Sequence, residues 1–251
     1  MLNPVSNPVP FGLIPNPPNL SSSISPAHSP SPEPPSPANP PSEEKSYTIF
    51  IGDSLIKNLD SLKMSSRSQI AKVFSYPGGT SESILAKLKD DDTFRNLDPS
   101  KVKDIFVLCG ANDVDNALSI PRQFQSDNVD SGDFWVSEHA VNNAKYAFTR
   151  LVDFIHNWAK HAIINVVNLL PRASFTRNQV INLFNYHIVE LSHSKNFVKF
   201  VSTELDRNLF TFRNGFRKSD FFSFRGDDNV HLNSSGLIRL AKHLKYFAHN
   251  N

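Results

Sequence analysis

The chain has 251 residues, and its 26 basic and 24 acidic side chains give a formal net charge of +2, too mild to indicate nucleic-acid binding by itself. Cys109 is the single cysteine, which excludes an intramolecular disulfide and is compatible with a reducing compartment. No apolar run approaches the ~20 residues of a membrane span, and the first residues lack the basic and apolar regions of a signal peptide. We therefore expect a soluble intracellular protein, with the cytoplasm as its default location.

The first 45 residues differ in composition from the rest of the chain. They hold 14 of the 18 prolines and nine serines. Proline fixes φ and lacks an N–H group, so this stretch cannot propagate a helix or a sheet. We predict a disordered tail over residues 1–45 and one α/β domain with a full-sized core over residues 46–251.

Five short apolar runs follow in the chain, each bounded by turn residues. They lie at 47–52, 71–76, 104–110, 162–170 and 197–203. Their continuous hydrophobicity is typical of strands that are buried on both faces, as in a parallel sheet.

Helical patterns alternate with these runs. Thr80 and Ser81 are capping residues at the start of the first helix. Three later helices are indicated by apolar stripes at helical spacing. Their members are Val141, Ala144, Phe148, Leu151, Ile155 and Trp158; then Val180, Leu183, Phe184 and Ile188; then Leu237, Leu240, Ala241 and Leu244. Five strands with intervening helices predict a doubly wound α/β sandwich.

Polar and glycine residues stand at the carboxyl ends of the predicted strands, where such folds place their working residues. Ser54 follows the first strand, Gly78 the second and Asn112 the third. Asp228 and His231 come just before the last helix.

These residue types match the needs of acyl transfer by a serine hydroxyl. Ser54 offers the hydroxyl, His231 a base and Asp228 a carboxylate that can fix the histidine tautomer. The Ser54 and Gly78 N–H groups and the Asn112 amide are candidate donors to the developing oxyanion. We predict no metal or organic cofactor, because the chemistry needs none and the other histidines show no metal-ligand spacing.

The ordered set "GDSL" (52–55), a glycine after the second strand, "GAND" (110–113) and "DNVH" (228–231) resembles the four sequence blocks of the SGNH hydrolases, or GDSL esterases. The resemblance covers 46–250 and implies a flavodoxin-like sandwich with five parallel strands. It also implies a Ser54–His231–Asp228 triad, with Ser54, Gly78 and Asn112 forming the oxyanion hole. The implied partner is a small ester or acyl substrate.

The sequence is compatible with several alternatives. Ser54 is also suited to cap a helix. Gly79 competes with Gly78, and Asp227 competes with Asp228. Asp113 is interpreted as a residue that orders its loop.

A second resemblance concerns the esterase domains of some retrotransposon proteins. It is carried by "IFIGDSLIKNL", "SYPGGTSESIL", "NLLPR" and "DDNVHLNSSGLIRLAKHL". Some SGNH-like domains have lost catalysis and bind RNA, so a binding or assembly module is the alternative function. Oligomeric state is left open.

The segment 207–225 bears on that alternative, because it interleaves phenylalanines with arginines and a lysine. Aromatic rings between cations can stack bases and neutralise phosphates. The competing interpretation, which we favour, is a loop packed over the site, with its phenylalanines in an acyl pocket or in the core.

Overall fold

A five-stranded parallel sheet runs through the described part of the chain. The computed structural model describes residues 45–59, 64–118, 138–172, 175–204, 209–211, 218–222 and 231–250. The strands are β1 Ser46–Gly52, β2 Gln69–Ser75, β3 Val102–Leu108, β4 Ile163–Val167 and β5 Val198–Val201. Their order in the sheet is β2-β1-β3-β4-β5, the flavodoxin-like order. The predicted doubly wound sandwich is confirmed, whereas the predicted tail lies outside the described residues except for Lys45.

Helices connect the strands and cover both faces of the sheet. They are α1 Ser81–Asp90, α2 Asp92–Arg95, α3 Ala111–Ala117, α4 Glu138–Trp158, α5 Phe175–Ser194 and α6 Ser234–Asn250. Thr80 caps α1 as predicted, because its hydroxyl oxygen accepts a hydrogen bond from the Ser83 N–H at 3.3 Å. Among the helices that the structure describes, none combines the length and the apolar character that a membrane crossing requires.

The core has two sides because successive residues of a strand point to opposite faces. Ile49 and Ile51 of β1 join the cluster that α1, α4 and α5 cover. Phe50 points the other way, into the cluster that α6 covers, and stacks on Phe106 with 5.1 Å between ring centroids. The result is three layers, with the carboxyl ends of all five strands at one rim.

The strand predicted over 162–170 is shorter in the structure, where it ends at Val167. The Leu169 N–H donates to Asn185 Oδ1 of α5 at 2.7 Å rather than to a neighbouring strand. The last residues of this apolar run are therefore buried against helices and loops. Apolar character alone does not distinguish such positions from strand positions.

The prediction that Leu183 belongs to the buried stripe of α5 is wrong. Leu183 is 52% exposed, whereas Val180, Phe184 and Ile188 are buried. The buried stripe runs at intervals of four residues, and Leu183 falls just outside its edge.

Candidate active site

The chain turns sharply after β1, and this turn presents Ser54. A Cβ atom at Gly52 would collide with the carbonyl oxygen of Leu108 on β3, so the close approach of the two strands requires glycine there. Ser54 opens a 3₁₀ turn, Ser54–Ile56, and the buried side chains of Leu55 and Ile56 anchor that turn.

The structure decides which residue caps this turn. Asp53 Oδ1 accepts a hydrogen bond from the Leu55 N–H at 2.9 Å, so Asp53 is the N-cap. The alternative in which Ser54 is the cap is therefore wrong. The Ser54 hydroxyl is directed towards His231 instead.

His231 lies next to Ser54 although the two residues are 177 positions apart. Its Nε2 atom is 2.9 Å from Ser54 Oγ, which is hydrogen-bond distance. The imidazole approaches from the segment that precedes α6, and its Nδ1 atom is the nitrogen that a carboxylate could hold. Asp228 and its rival Asp227 lie outside the described residues, so the choice between these two carboxylates stays a prediction.

The turn after β2 contains both glycine candidates. Gly79 donates its N–H to the Tyr76 carbonyl oxygen at 2.9 Å, so that amide is already engaged within the turn. Gly78 has φ of +72°, a conformation that glycine adopts without strain, and a Cβ there would have no described atom within 4 Å. The Gly79 N–H is thus engaged, and Gly78 stays the predicted oxyanion donor.

Asn112 connects the segment that follows β3 to the turn that follows β2. It lies in the first turn of α3, and its Nδ2 atom donates to the Gly79 carbonyl oxygen at 3.0 Å. One amide hydrogen thus fixes the side chain against the glycine turn, and the amide carries a second hydrogen for another acceptor.

Asp113 has the ordering role that its position suggested. Its Oδ2 atom accepts the Ser81 N–H at 2.9 Å and the Ser81 hydroxyl at 3.0 Å. Burial raises the pKa of Asp113, and the hydrogen bonds from Ser81 oppose that shift. The carboxyl group joins the start of α1 to the start of α3 and so holds Asn112 beside the glycine turn.

Two charged residues near the site were not assigned from the sequence. Arg172 is 4% exposed, and its Nη2 atom is 3.1 Å from Asp115 Oδ2 on α3. It follows β4, so the rule that working residues gather after strand ends could have drawn attention to it. Asp53 belongs to the "GDSL" block, but its burial becomes visible only in the folded chain.

Burial gives Asp53 an unusual electrostatic character. Its side chain lies 1% exposed, and burial raises its pKa to about 6. The Leu55 N–H, the Arg172 guanidinium and His231 oppose this rise, and the charge of Asp113 adds to it. Asp53 therefore changes its charge near neutral pH, and it directly precedes Ser54 in the chain.

The structure describes part of the phenylalanine- and arginine-rich segment 207–225. Phe210 and Phe222 are buried in the core cluster under α6, and their ring centroids are 5.9 Å apart. The rings of these two residues are therefore not open to stack bases. The arginines of the segment lie outside the described residues, so the nucleic-acid contact stays a prediction.

The described ranges contain no group of three or more His, Cys, Asp or Glu side chains placed to hold a metal ion. That no metal or organic cofactor is needed stays a prediction from the sequence.

A scan against protein-family models and a search of curated proteins found no match. Solved structures do match. A lipase from a goat rumen metagenome is 18% identical with a TM-score of 0.57, covering 81% of this chain and 97% of the lipase. A catalytic mutant of an acetylxylan esterase from Geobacillus stearothermophilus is 13% identical with a TM-score of 0.54, covering 80% and 94% of the two chains.

The OSK domain of Drosophila Oskar also has this fold. It is 14% identical with a TM-score of 0.52, and the match covers 78% of this chain and 86% of that domain. The sheet order, the two helical layers and these neighbours define the class: the chain has the SGNH-hydrolase fold, as the sequence blocks predicted. Since the neighbours include enzymes and a domain of Oskar, the fold by itself does not assign an activity.

Proposed function

We propose that the chain is a serine hydrolase of carboxylic esters that acts through an acyl-serine intermediate. The observation that carries this proposal is the 2.9 Å contact between His231 Nε2 and Ser54 Oγ. A nucleophile with an adjacent base is the central requirement of acyl transfer by a hydroxyl group.

The reaction proceeds in two stages. In the first, Ser54 Oγ attacks the ester carbonyl carbon while its proton moves to His231 Nε2. The tetrahedral intermediate then collapses, the bond to the alcohol oxygen breaks, and the alcohol leaves with the proton from His231. In the second, His231 takes a proton from water and the hydroxide attacks the acyl carbon. The bond to Ser54 Oγ then breaks, His231 returns the proton to Oγ, and the acid leaves.

The negative charge that develops on the carbonyl oxygen needs fixed donors. The Ser54 N–H, the Gly78 N–H and the Asn112 Nδ2 group are the proposed oxyanion hole. The contact from Asn112 to the Gly79 carbonyl supports this assignment, because it holds the amide beside the glycine turn. Asp228 is proposed to hold His231 through Nδ1 and to complete the triad.

Neighbours with the same fold support the reaction class. A lipase and an acetylxylan esterase match this fold with TM-scores of 0.57 and 0.54, and both names describe ester cleavage. A small carboxylic ester is therefore the proposed substrate.

The test is turnover of p-nitrophenyl acetate by the wild type and by Ser54→Ala. We expect the substitution to abolish turnover, because it removes the attacking oxygen. Ser46→Ala is the matched control: Ser46 lies at the opposite end of the same strand, so its loss should leave the rate unchanged.

An unchanged rate in Ser54→Ala would refute the proposal. An inactive wild type that instead binds RNA with a steep dependence on salt would favour the binding-module alternative, because phosphate contacts release counterions.

A further inference from the structure

The two oxygens of the buried Asp53 carboxyl group differ in their contacts. Oδ1 accepts the Leu55 N–H at 2.9 Å. Oδ2 is inaccessible to solvent and has no hydrogen-bond partner among the described residues. A buried carboxylate oxygen without a partner is costly for folding, so its retention calls for a physical reason.

The backbone of Asp53 is fixed from both sides. Its N–H donates to the Leu108 carbonyl oxygen of β3 at 3.3 Å, and its carbonyl oxygen accepts the Ser75 hydroxyl of β2 at 2.9 Å. With Oδ1 also engaged, the carboxyl group is held in place next to Ser54.

The charged neighbours of Asp53 come from several elements. They are Arg172 after β4, His231 before α6, and Asp113 on α3. The interaction with His231 is reciprocal: a positive imidazolium favours an ionised Asp53, and an ionised Asp53 favours the imidazolium to the same extent. Asp53 is buried whereas His231 is exposed, so solvent screens this interaction only in part.

We propose that Asp53 is a positioning residue for the reaction. Its Oδ1 atom fixes the turn that presents Ser54, and its negative charge stabilises the imidazolium that forms when His231 takes the Ser54 proton. This inference rests on the proposed function, and it is separate from the role of Asp228, which would bind Nδ1 of the same imidazole.

The test is the pH dependence of kcat/KM in the wild type and in Asp53→Asn. Asparagine keeps an oxygen that can accept the Leu55 N–H, but it carries no charge. Burial raises the pKa of Asp53 to about 6, so its charge is present above that pH and absent below it. The ratio of wild-type to variant kcat/KM should be near one below about pH 5 and rise to about tenfold above about pH 7, where Asp53 carries its charge.

Asp98→Asn is the matched control. Asp98 caps another 3₁₀ turn, and its Oδ1 atom accepts the Ser100 N–H at 2.9 Å, but it is exposed and lies at the opposite end of the sheet. Its substitution should leave the pH profile unchanged. A ratio for Asp53→Asn that is independent of pH would overturn the inference, since loss of a purely structural cap lowers the rate equally at all pH values.

A second measurement separates this inference from the proposed function. In the folded wild type, the pH midpoint of the Asp53 carboxyl carbon signal should be lower than in His231→Gln, whether or not the protein hydrolyses esters, because His231 lowers the pKa of Asp53. Equal midpoints would overturn the role of Asp53, whereas absent turnover with different midpoints would contradict only the proposed reaction. If Asp53→Asn does not fold, Asp53→Ser, which also keeps a capping oxygen, takes its place.

Discussion

At the scale of the residue, two adjacent side chains have different tasks at the end of β1. Asp53 caps the 3₁₀ turn, and Ser54 directs its hydroxyl to His231. Serine and aspartate are both strong N-cap residues, so the local sequence permits either residue to cap the turn. Capping by Asp53 leaves the Ser54 oxygen free of that cap and available for its proposed role as nucleophile.

Asn112 is the side chain whose proposed role has the clearest kinetic signature. We expect Asn112→Ala to lower kcat by ~10²–10³ with a smaller change in KM, because an oxyanion donor acts mainly in the transition state. Steady-state kinetics with p-nitrophenyl acetate measures this effect.

Asn116→Ala serves as the comparison, since Asn116 lies one helical turn further along α3. Its kcat should stay close to that of the wild type. Equal losses in the two variants would argue that damage to α3, and not a missing donor, lowers the rate.

At the scale of the element, the arrangement of the helices at the rim of the sheet depends on hydrogen bonds between them. The Asp113 carboxylate accepts two hydrogen bonds from Ser81 and so connects the starts of α1 and α3. The N–H groups at the start of a helix have no partner within the helix, so a carboxylate from another element is a suitable acceptor there.

We expect Asp113→Ala to lower the free energy of unfolding by about 1–3 kcal/mol, because it leaves the buried Ser81 groups without their acceptor. Amide hydrogen exchange at Ser81 should become faster, and urea denaturation gives the overall loss.

Asp92→Ala is the control for this prediction. Asp92 is 86% exposed and pairs with Arg95 of the same helix turn at 3.5 Å. An exposed pair of this kind contributes little, so its loss should be below about 1 kcal/mol. If the Ser81 amide exchanged as slowly in Asp113→Ala as in the wild type, the proposed connection would be contradicted.

At the scale of the whole molecule, the sheet is stable because it is covered on both faces. Phe50 and Phe106 stack on the side of α6, while Ile49 and Ile51 pack on the side of the longer helices. This double burial fixes the strand ends at one rim, where Ser54 and His231 meet.

We expect Phe106→Ala to lower the free energy of unfolding by about 3–5 kcal/mol, since it removes a fully buried ring of β3 from the cluster that α6 covers and leaves a cavity. Urea denaturation measures the loss, and Phe106→Leu should show a smaller one.

Tyr146→Ala provides the control, because this ring on α4 is 66% exposed. Its loss should change the free energy of unfolding by no more than about 0.5 kcal/mol. A comparable loss at Phe106 and Tyr146 would contradict the two-sided core.

The fold could be predicted from the sequence because its signals are local. Apolar runs and helical stripes indicate the type of each element, and parallel strands necessarily end at one rim, so Ser54 and Asn112 were correctly expected at that edge. The "GDSL" and "GAND" blocks added the family resemblance. Strand ends and the exposure of Leu183 were missed because they depend on neighbours that are distant in sequence.

The tertiary structure alone decided how the parts of the site meet. The contact between Ser54 and His231 spans 177 residues, and no local pattern fixes such a distance. The capping role of Asp53 and the engaged N–H of Gly79 follow from hydrogen bonds made after the turns are packed. Burial, which is absent in the unfolded chain, gives the Asp53 carboxyl group its raised pKa. The sequence by itself determined which groups this protein carries to the rim, and tertiary packing determined their partners and their charge.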